Sequence, residues 1–218
     1  MYKIYQRLTE TPLPSDWDAD TINRSTAFSR ILKSILSQAK KLGKGSSRIV
    51  FEIEDPGYED TVIKVALNKK GLSQNSLEAE IINTKWYSEI LPDIIDQDRE
   101  SKMYETNNEP LWIQVKKASK PKPSEVKNFL GIGNIDSLRI YLNKIFGRGN
   151  IHISDNSAED IEILNESEWV QKLTSMIGDY DLAWQDLYIM RNLGFIDGEL
   201  KIIDAGASNQ IIRTYYSR

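Results

Sequence analysis

The segment Thr61-Val62-Ile63-Lys64-Val65-Ala66-Leu67 constrains the fold of this chain more than any other. Its β-branched and aliphatic residues predict a strand, and one lysine interrupts it. Period-two alternation puts Lys64 on the same face as Val62 and Ala66, with Ile63 and Val65 on the other. An ammonium among such neighbours has two outcomes. It lies at an edge with its stem on apolar surface and its amine in water, or it reaches a buried anion. A partner strand is close at hand: Ile49-Val50-Phe51-Glu52-Ile53 reads as a strand, and Asp55-Pro56-Gly57 makes the turn between them.

Upstream lies Leu42-Gly43-Lys44-Gly45-Ser46-Ser47-Arg48. Two glycines at spacing two let backbone N–H groups approach phosphate oxygens with no Cβ in the way. Ser46 and Ser47 can add hydroxyl donors. Gly43 equally serves as the end of a preceding amphipathic helix. In that helix Phe28, Ile31, Leu32, Ile35, Leu36 and Ala39 share one face, with Asn23 or Ser25 as cap. Downstream of Gly71, Asn75 is the expected cap of a helix running to about Leu91, where Pro92 stops it. Glu78 on this helix either ion-pairs with Lys64 or serves its own helix start in the box Asn75-Ser76-Leu77-Glu78. Glu80, about 200° further round the helix, is the competing partner; Glu78 is preferred.

Composition narrows the chemistry. The 218 residues suffice for one large domain or two small ones, and 40% hydrophobic content is ample for a core. A net charge of -4 suits non-specific nucleic-acid binding poorly. The absence of cysteine excludes disulfides, thiolate metal sites and cysteine nucleophiles, and the single histidine, His152, excludes a multi-histidine metal site. The start lacks the order of a signal peptide, and no apolar run approaches the roughly 18–20 residues that span a bilayer. A soluble, cytoplasmic protein without membrane or nucleic-acid partners is therefore expected.

Along the remainder, residues 1–24 read as an irregular lead-in, Leu111-Trp112-Ile113-Gln114-Val115 as a strand, and 117–123 as a Lys/Pro linker. Lys116, Lys117, Lys120, Lys122 and Lys127 read as its solvated charges. A helix is expected over 137–146, a polar segment over 147–165 and a helix over 166–177. Residues 193–203 read as two strands around Asp197-Gly198, the strongest short hairpin signal in sequence. The five tryptophans, Trp17, Trp86, Trp112, Trp169 and Trp184, read as core. Around the hairpin stand Asp186, Asn192 and Asp204-Ala205-Gly206. Two carboxylates and an amide oxygen are hard donors suited to magnesium, and a carboxylate beside it can orient a hydroxyl nucleophile. Asp204-Ala205-Gly206 by itself is also compatible with a simple turn.

Taken in order, the Gly-rich turn, strand lysine, helix glutamate, further strand and Asp…Asn…Asp-x-Gly series resembles the protein-kinase-like superfamily from about Gly43 to Gly206. More narrowly, it looks like the short kinase-like proteins of tailed bacteriophages and bacteria. Those share Gly-Ser-Ser-Arg before a valine-rich strand and a stretch like Lys70-Gly71-Leu72-Ser73-Gln74-Asn75. The resemblance implies an α+β, bilobed fold with an N-terminal helical extension (1–42), a strand-rich lobe (43–118) and a truncated helical lobe (119–218). It also implies ATP and Mg2+ as cofactors. Gly43, Gly45, Ser46 and Ser47 would cover phosphates, Val50 and Val62 would flank the adenine, and Val115 to Lys117 would supply backbone to it. Lys64 would contact the α- and β-phosphates, paired with Glu78. Asp186 would be the catalytic aspartate, with Asn192 and Asp204 on the metal. A phage source would set the protein in the cytoplasm of an infected bacterium.

Several residues depart from the family pattern. Arg48 stands at the loop's third glycine, Val62 replaces the usual alanine, and Trp184-Gln185-Asp186 replaces His-Arg-Asp. Asp186 and Asn192 are six apart where most kinases have five, with Asp181 as an alternative base. Only twelve residues follow Gly206, and no Ala-Pro-Glu motif occurs, so a peptide-docking subdomain is not expected. Three functions stay open at this point: phosphoryl transfer to a small molecule, a partner protein or the chain itself; a pseudokinase used for nucleotide binding or protein interaction; and nucleotidyl transfer.

Overall fold

A computed structural model describes residues 39–53, 60–97, 109–110, 112–147 and 155–216. The chain divides into two compact units. One comprises the chain up to Ala79 with Asp93–Lys117, the other Glu80–Pro92 with the chain from Ala118 onward. The lead-in, the expected helix over 28–39 apart from its last residue, the turn at Asp55-Pro56-Gly57 and His152 lie outside the described residues.

The first unit contains strands β1 (Ala39–Lys44), β2 (Arg48–Ile53), β3 (Thr61–Ala66), β4 (Ile94–Gln97) and β5 (Trp112–Lys116). They form one antiparallel sheet in the order β1-β2-β3-β5-β4. Helix α1 (Lys69–Asn83) follows β3 directly. Among the described residues, this strand-rich unit with one helix is the α+β arrangement that the resemblance implies. The register pairs Arg48 with Ala66, Val50 with Lys64, Val62 with Val115 and Lys64 with Ile113. Because side chains of paired residues share a face, Arg48, Val50, Val62, Lys64, Ile113 and Val115 all lie on one side of the sheet.

Three local expectations are corrected here. Ala39–Lys44 is an edge strand, not the end of a helix stopped by Gly43; it pairs with β2 from Ala39↔Ile53 to Lys44↔Ile49. The ladder satisfies backbone groups that a helix end would leave open, and the lysines keep the edge solvated. Helix α1 begins before Asn75, because Asn68 takes the cap. Its Oδ1 accepts the Gly71 N–H at 3.1 Å and its carbonyl accepts the Leu72 N–H at 3.1 Å. Asn75 lies inside the helix, fully buried, and its amide donates to the Pro110 carbonyl at 3.1 Å. The helix also ends at Asn83 rather than near Pro92, and a 3-10 turn (Lys85–Ile90) follows.

Helices α2 (Pro123–Leu130), α3 (Asp136–Phe146), α4 (Asp155–Glu166), α5 (Glu168–Asp179), α6 (Trp184–Leu187) and α7 (Asn209–Tyr216) belong to the second unit. So does the hairpin of β6 (Leu193–Ile196) and β7 (Glu199–Ile202). Its turn has positive φ at both Asp197 (52°) and Gly198 (84°), the type I′ geometry that an Asp-Gly pair favours. The hairpin is anchored by a bridge between Ser119 and Phe195 and by the Trp169 indole N–H on the Leu200 carbonyl at 2.8 Å. Two helices stand where the sequence reading placed none. Pro123 starts α2, where a missing N–H costs nothing. Helix α4 occupies the segment read as polar, burying Ser157, Asp160, Ile161 and Leu164 on one face. Trp112 and Trp169 are core, but Trp86 is 59% exposed, against expectation. Among the described residues no helix is long and apolar enough to cross a membrane.

Asp160 fixes the start of α3. It accepts the Gly133 and Asn134 N–H groups at 2.7 and 3.0 Å and the Ser137 hydroxyl at 2.6 Å. Burial alone would push its carboxyl up, yet the Ser137 hydroxyl and the two amides hold it below the ordinary value. A lowered folded pKa gives stability that is fully present above the unfolded pKa and lost as pH falls through the folded one. Asp160→Asn is expected to cost about 1–3 kcal/mol in urea denaturation at pH 7. The gap from wild type should narrow as pH falls below about 4; a gap independent of pH would contradict this role.

Candidate functional site

In the first unit, chemistry gathers where β2, β3 and α1 meet. The Glu78 carboxylate is 1% exposed and engages two cations, one on each oxygen. Lys64 Nζ bonds to Oε1, and Arg48 Nη1 bonds to Oε2 at 2.6 Å. Lys64 and Arg48 are 5% and 7% exposed, so this is a buried ion cluster. Arg48 also donates to Asn75 Oδ1 at 3.4 Å. Of the two alternatives on α1, Glu78 is the one that meets Lys64, whereas Glu80 is exposed. Neither snorkelling of Lys64 nor a capping role for Glu78 describes the arrangement.

The Gly-rich segment is a tight turn between β1 and β2. Gly43 lies in β1 opposite Val50, and the Gly45 N–H donates to the Arg48 carbonyl at 2.8 Å. Ser46 Oγ accepts from Lys70 Nζ at 2.8 Å and its carbonyl accepts from Asn68 Nδ2 at 3.0 Å. The buried Ser47 hydroxyl donates to Gln74 Oε1, and its carbonyl accepts the Leu67 N–H at 2.7 Å. The Ser47 hydroxyl is thus committed inside the protein, not presented to a phosphate. Gly71 permits this packing, since a Cβ there would stand 2.1 Å from the Ser47 carbonyl oxygen.

Val50, Val62 and Val115 share the face of Lys64, as the register dictates. Lys117 departs from the expected role. Its N–H donates to the Asp60 carbonyl at 2.7 Å, so that amide serves the unit's own backbone instead of a base. Its ammonium pairs with Glu52, and this hydrogen bond, with Lys40 adding its field, holds the Glu52 carboxyl below its ordinary value.

In the second unit, one side-chain and one backbone hydrogen bond link Asp186 to Asn192 and Asn192 to Ile203, the residue before Asp204. Asp186 is carried on α6 and is half-buried. Its carbonyl accepts the Asn192 Nδ2 at 2.8 Å. The Asn192 carbonyl in turn accepts the N–H of Ile203, the residue before Asp204, at 2.8 Å. Helix α6 and a 3-10 turn at Met190–Asn192 make up most of the chain from Asp186 to Asn192. Asp181 is not the better base: its Oδ1 and carbonyl accept the Asn209 side-chain amide and N–H, each at 2.8 Å.

The donor chemistry suits magnesium. With Nδ2 held by Asp186, Asn192 keeps Oδ1 as its side-chain acceptor beside the Asp204 segment. Among the described residues no group of three or more His, Cys, Asp or Glu could hold a metal ion. A hard cation here would take two protein oxygens and complete its shell from phosphate and water, as magnesium prefers. Nearby, a cavity of about 440 Å3 opens within the second unit, lined in part by Asn143, Asp181, Trp184, Gln185, Asn209 and Arg213. No local sequence pattern marks it, since its walls come from four helices, α3, α5, α6 and α7, and the chain between them.

No family model matches the chain, and no curated protein matches it. Among solved structures, the GDP and kanamycin complex of APH(2")-IIia is 13% identical with a TM-score of 0.41, over 82% of this chain and 73% of that one. The streptomycin and ATP ternary complex of APH(2")-IIa is 14% identical with a TM-score of 0.37, over 84% and 72%. A thermostable mutant of the aminoglycoside phosphotransferase APH(4)-Ia is 12% identical with a TM-score of 0.35, over 81% and 70%.

Glu78 is the shared anion of the ion cluster, which makes the three partners unequal. Removing it leaves two cations facing each other in the interior, whereas removing Lys64 leaves Arg48 still paired. Glu78→Gln is expected to cost about 3–5 kcal/mol in chemical denaturation, and Lys64→Met less than half of that. Equal losses would contradict the shared-anion geometry.

Proposed function

We propose that this chain is a kinase-like phosphotransferase that binds ATP with magnesium and transfers the γ-phosphoryl group to a hydroxyl. The observation that carries the reading is the buried Lys64–Glu78 pair on the sheet face that also bears Val50, Val62 and Val115. A lysine fixed by a carboxylate is a point charge held ready for phosphate oxygens, while the three valines offer an apolar bed for a base. The β1–β2 turn, through Gly43, Gly45 and Ser46, would lie over the phosphates, where glycines admit close approach with no Cβ in the way.

In this reading Asn192 and Asp204 would hold the cation. Magnesium, when bound, offsets charge on the transferring phosphoryl group. Asp186 accepts the proton of the attacking hydroxyl as the new O–P bond forms and the bond to the β-phosphate oxygen breaks, releasing ADP. The cavity beside Gln185 is the natural place for the acceptor, and its amides, carboxylate, guanidinium and indole suit a small polar molecule. A protein acceptor or the chain itself is the alternative. By its resemblance the protein acts in a bacterial cytoplasm, that of an infected host where a phage encodes it.

A second reading has its own support. The Ser47 hydroxyl and the Lys117 amide are both engaged internally, as they would be in a pseudokinase that keeps the fold for nucleotide or protein binding. The two separate on turnover. Incubation with γ-labelled ATP and magnesium is expected to release or transfer label. Asp204→Ala should abolish this, and Asp186→Asn should lower it about 10²–10⁴-fold. Stabilisation by nucleotide with no turnover would assign the scaffold reading, and a mass gain of one adenylyl group would assign nucleotidyl transfer.

A further inference from the structure

Three consecutive polar residues, two in the β1–β2 turn and one opening β2, meet three polar residues spaced four apart on α1. Ser46 pairs with Lys70, Ser47 with Gln74, and Arg48 with Glu78. Spacing of four puts Lys70, Gln74 and Glu78 on one helix stripe, and all three are at most 7% exposed. The rungs are backed by main-chain contacts: Asn68 Nδ2 on the Ser46 carbonyl, the Leu67 N–H on the Ser47 carbonyl, and the Gly71 backbone against that same oxygen. Arg48 occupies a double position, because its carbonyl closes the turn by accepting the Gly45 N–H while its guanidinium holds Glu78.

We infer that Arg48 is a positioning residue that latches the β1–β2 turn to the Lys64–Glu78 pair, so that turn and pair move as one body. Glu78 has two carboxylate oxygens and uses one for each cation. Its carboxylate cannot rotate away from Lys64 without also breaking the charge-assisted bond to Arg48. Conversely, the turn cannot lift from the sheet without withdrawing Arg48 and loosening Glu78. A glycine at this position would leave the turn free to open independently, with Glu78 bound by Lys64 alone. The latch turns a flexible phosphate-covering loop into a fixed cradle. Its bearing on nucleotide handling rests on the phosphotransferase reading; the latch itself does not.

The test compares wild type with Arg48→Met and Arg48→Lys, without nucleotide. Hydrogen exchange is read at amides 43–47, and the Lys64 Nζ signal is followed by NMR at one fixed pH. Arg48→Met is expected to speed exchange of the turn at least tenfold, well beyond any change at β5, and to shift the Lys64 Nζ signal. Arg48→Lys, which keeps a cation but offers a single point charge, should fall between the two. If Arg48→Met does not fold, Arg48→Lys alone decides: faster exchange with a shifted Lys64 signal supports the latch. Unchanged turn exchange or an unmoved Lys64 signal in the folded variant overturns it. Adding Mg·ATP to the same samples separates the two ideas. A wild type that ignores nucleotide sinks the phosphotransferase reading while the latch result stands.

Discussion

A single buried carboxylate organises the strand-rich unit. Glu78 lies on a helix, Lys64 in the middle of one strand and Arg48 at the start of another, and all three are removed from water. Desolvating three charges is expensive, and such a cluster persists only where geometry and hydrogen bonding are good. The surrounding sequence is arranged to secure that geometry. Asn68 sets where the helix begins, Gly71 lets its first turn press against the Ser47 carbonyl, and Asn75 reaches the Pro110 carbonyl from the helix interior. The helix therefore enters in the one rotational setting that points Lys70, Gln74 and Glu78 at the β1–β2 turn.

The second unit achieves its own arrangement by main-chain means. A two-residue turn with positive φ fixes the β6–β7 hairpin, and the hairpin carries Asn192 and Asp204 at its two open ends. The Ile203 N–H on the Asn192 carbonyl closes those ends, and the Asn192 amide on the Asp186 carbonyl brings in the loop. Two hydrogen bonds of 2.8 Å thereby bridge chain separations of 6 and 11 residues.

Much of this was legible from residue patterns, and the failures have physical reasons. The β3 strand, its lysine face and the Asp-Gly hairpin follow from period-two alternation and turn chemistry, which are local. Helix α1 was expected, but with Asn75 as its start. Gly71 reads as a breaker, and Asn75-Ser76-Leu77-Glu78 imitates a capping box, while the true cap, Asn68, follows the strand almost at once. Arg48 was legible only as a charged departure in a glycine-rich turn; its partner stands 30 residues away, beyond any local signal. The stripe Lys70, Gln74, Glu78 was the available clue, since three buried polar residues at spacing four need partners. Helix α4 stayed hidden because its inward face uses Ser157 and Asp160 beside Ile161 and Leu164, which blurs the apolar period. Strand β4 spans only four residues, too few for alternation to register.

The most direct test of the account is equilibrium binding of Mg·ATP by calorimetry to the wild type and to Lys64→Ala, with the fold of each verified by circular dichroism. Saturable binding to the wild type, weakened at least tenfold in the folded variant, is the predicted result. Equal affinity in both, or no binding by the wild type, would contradict the claim that the amine held by Glu78 is there to receive a polyphosphate.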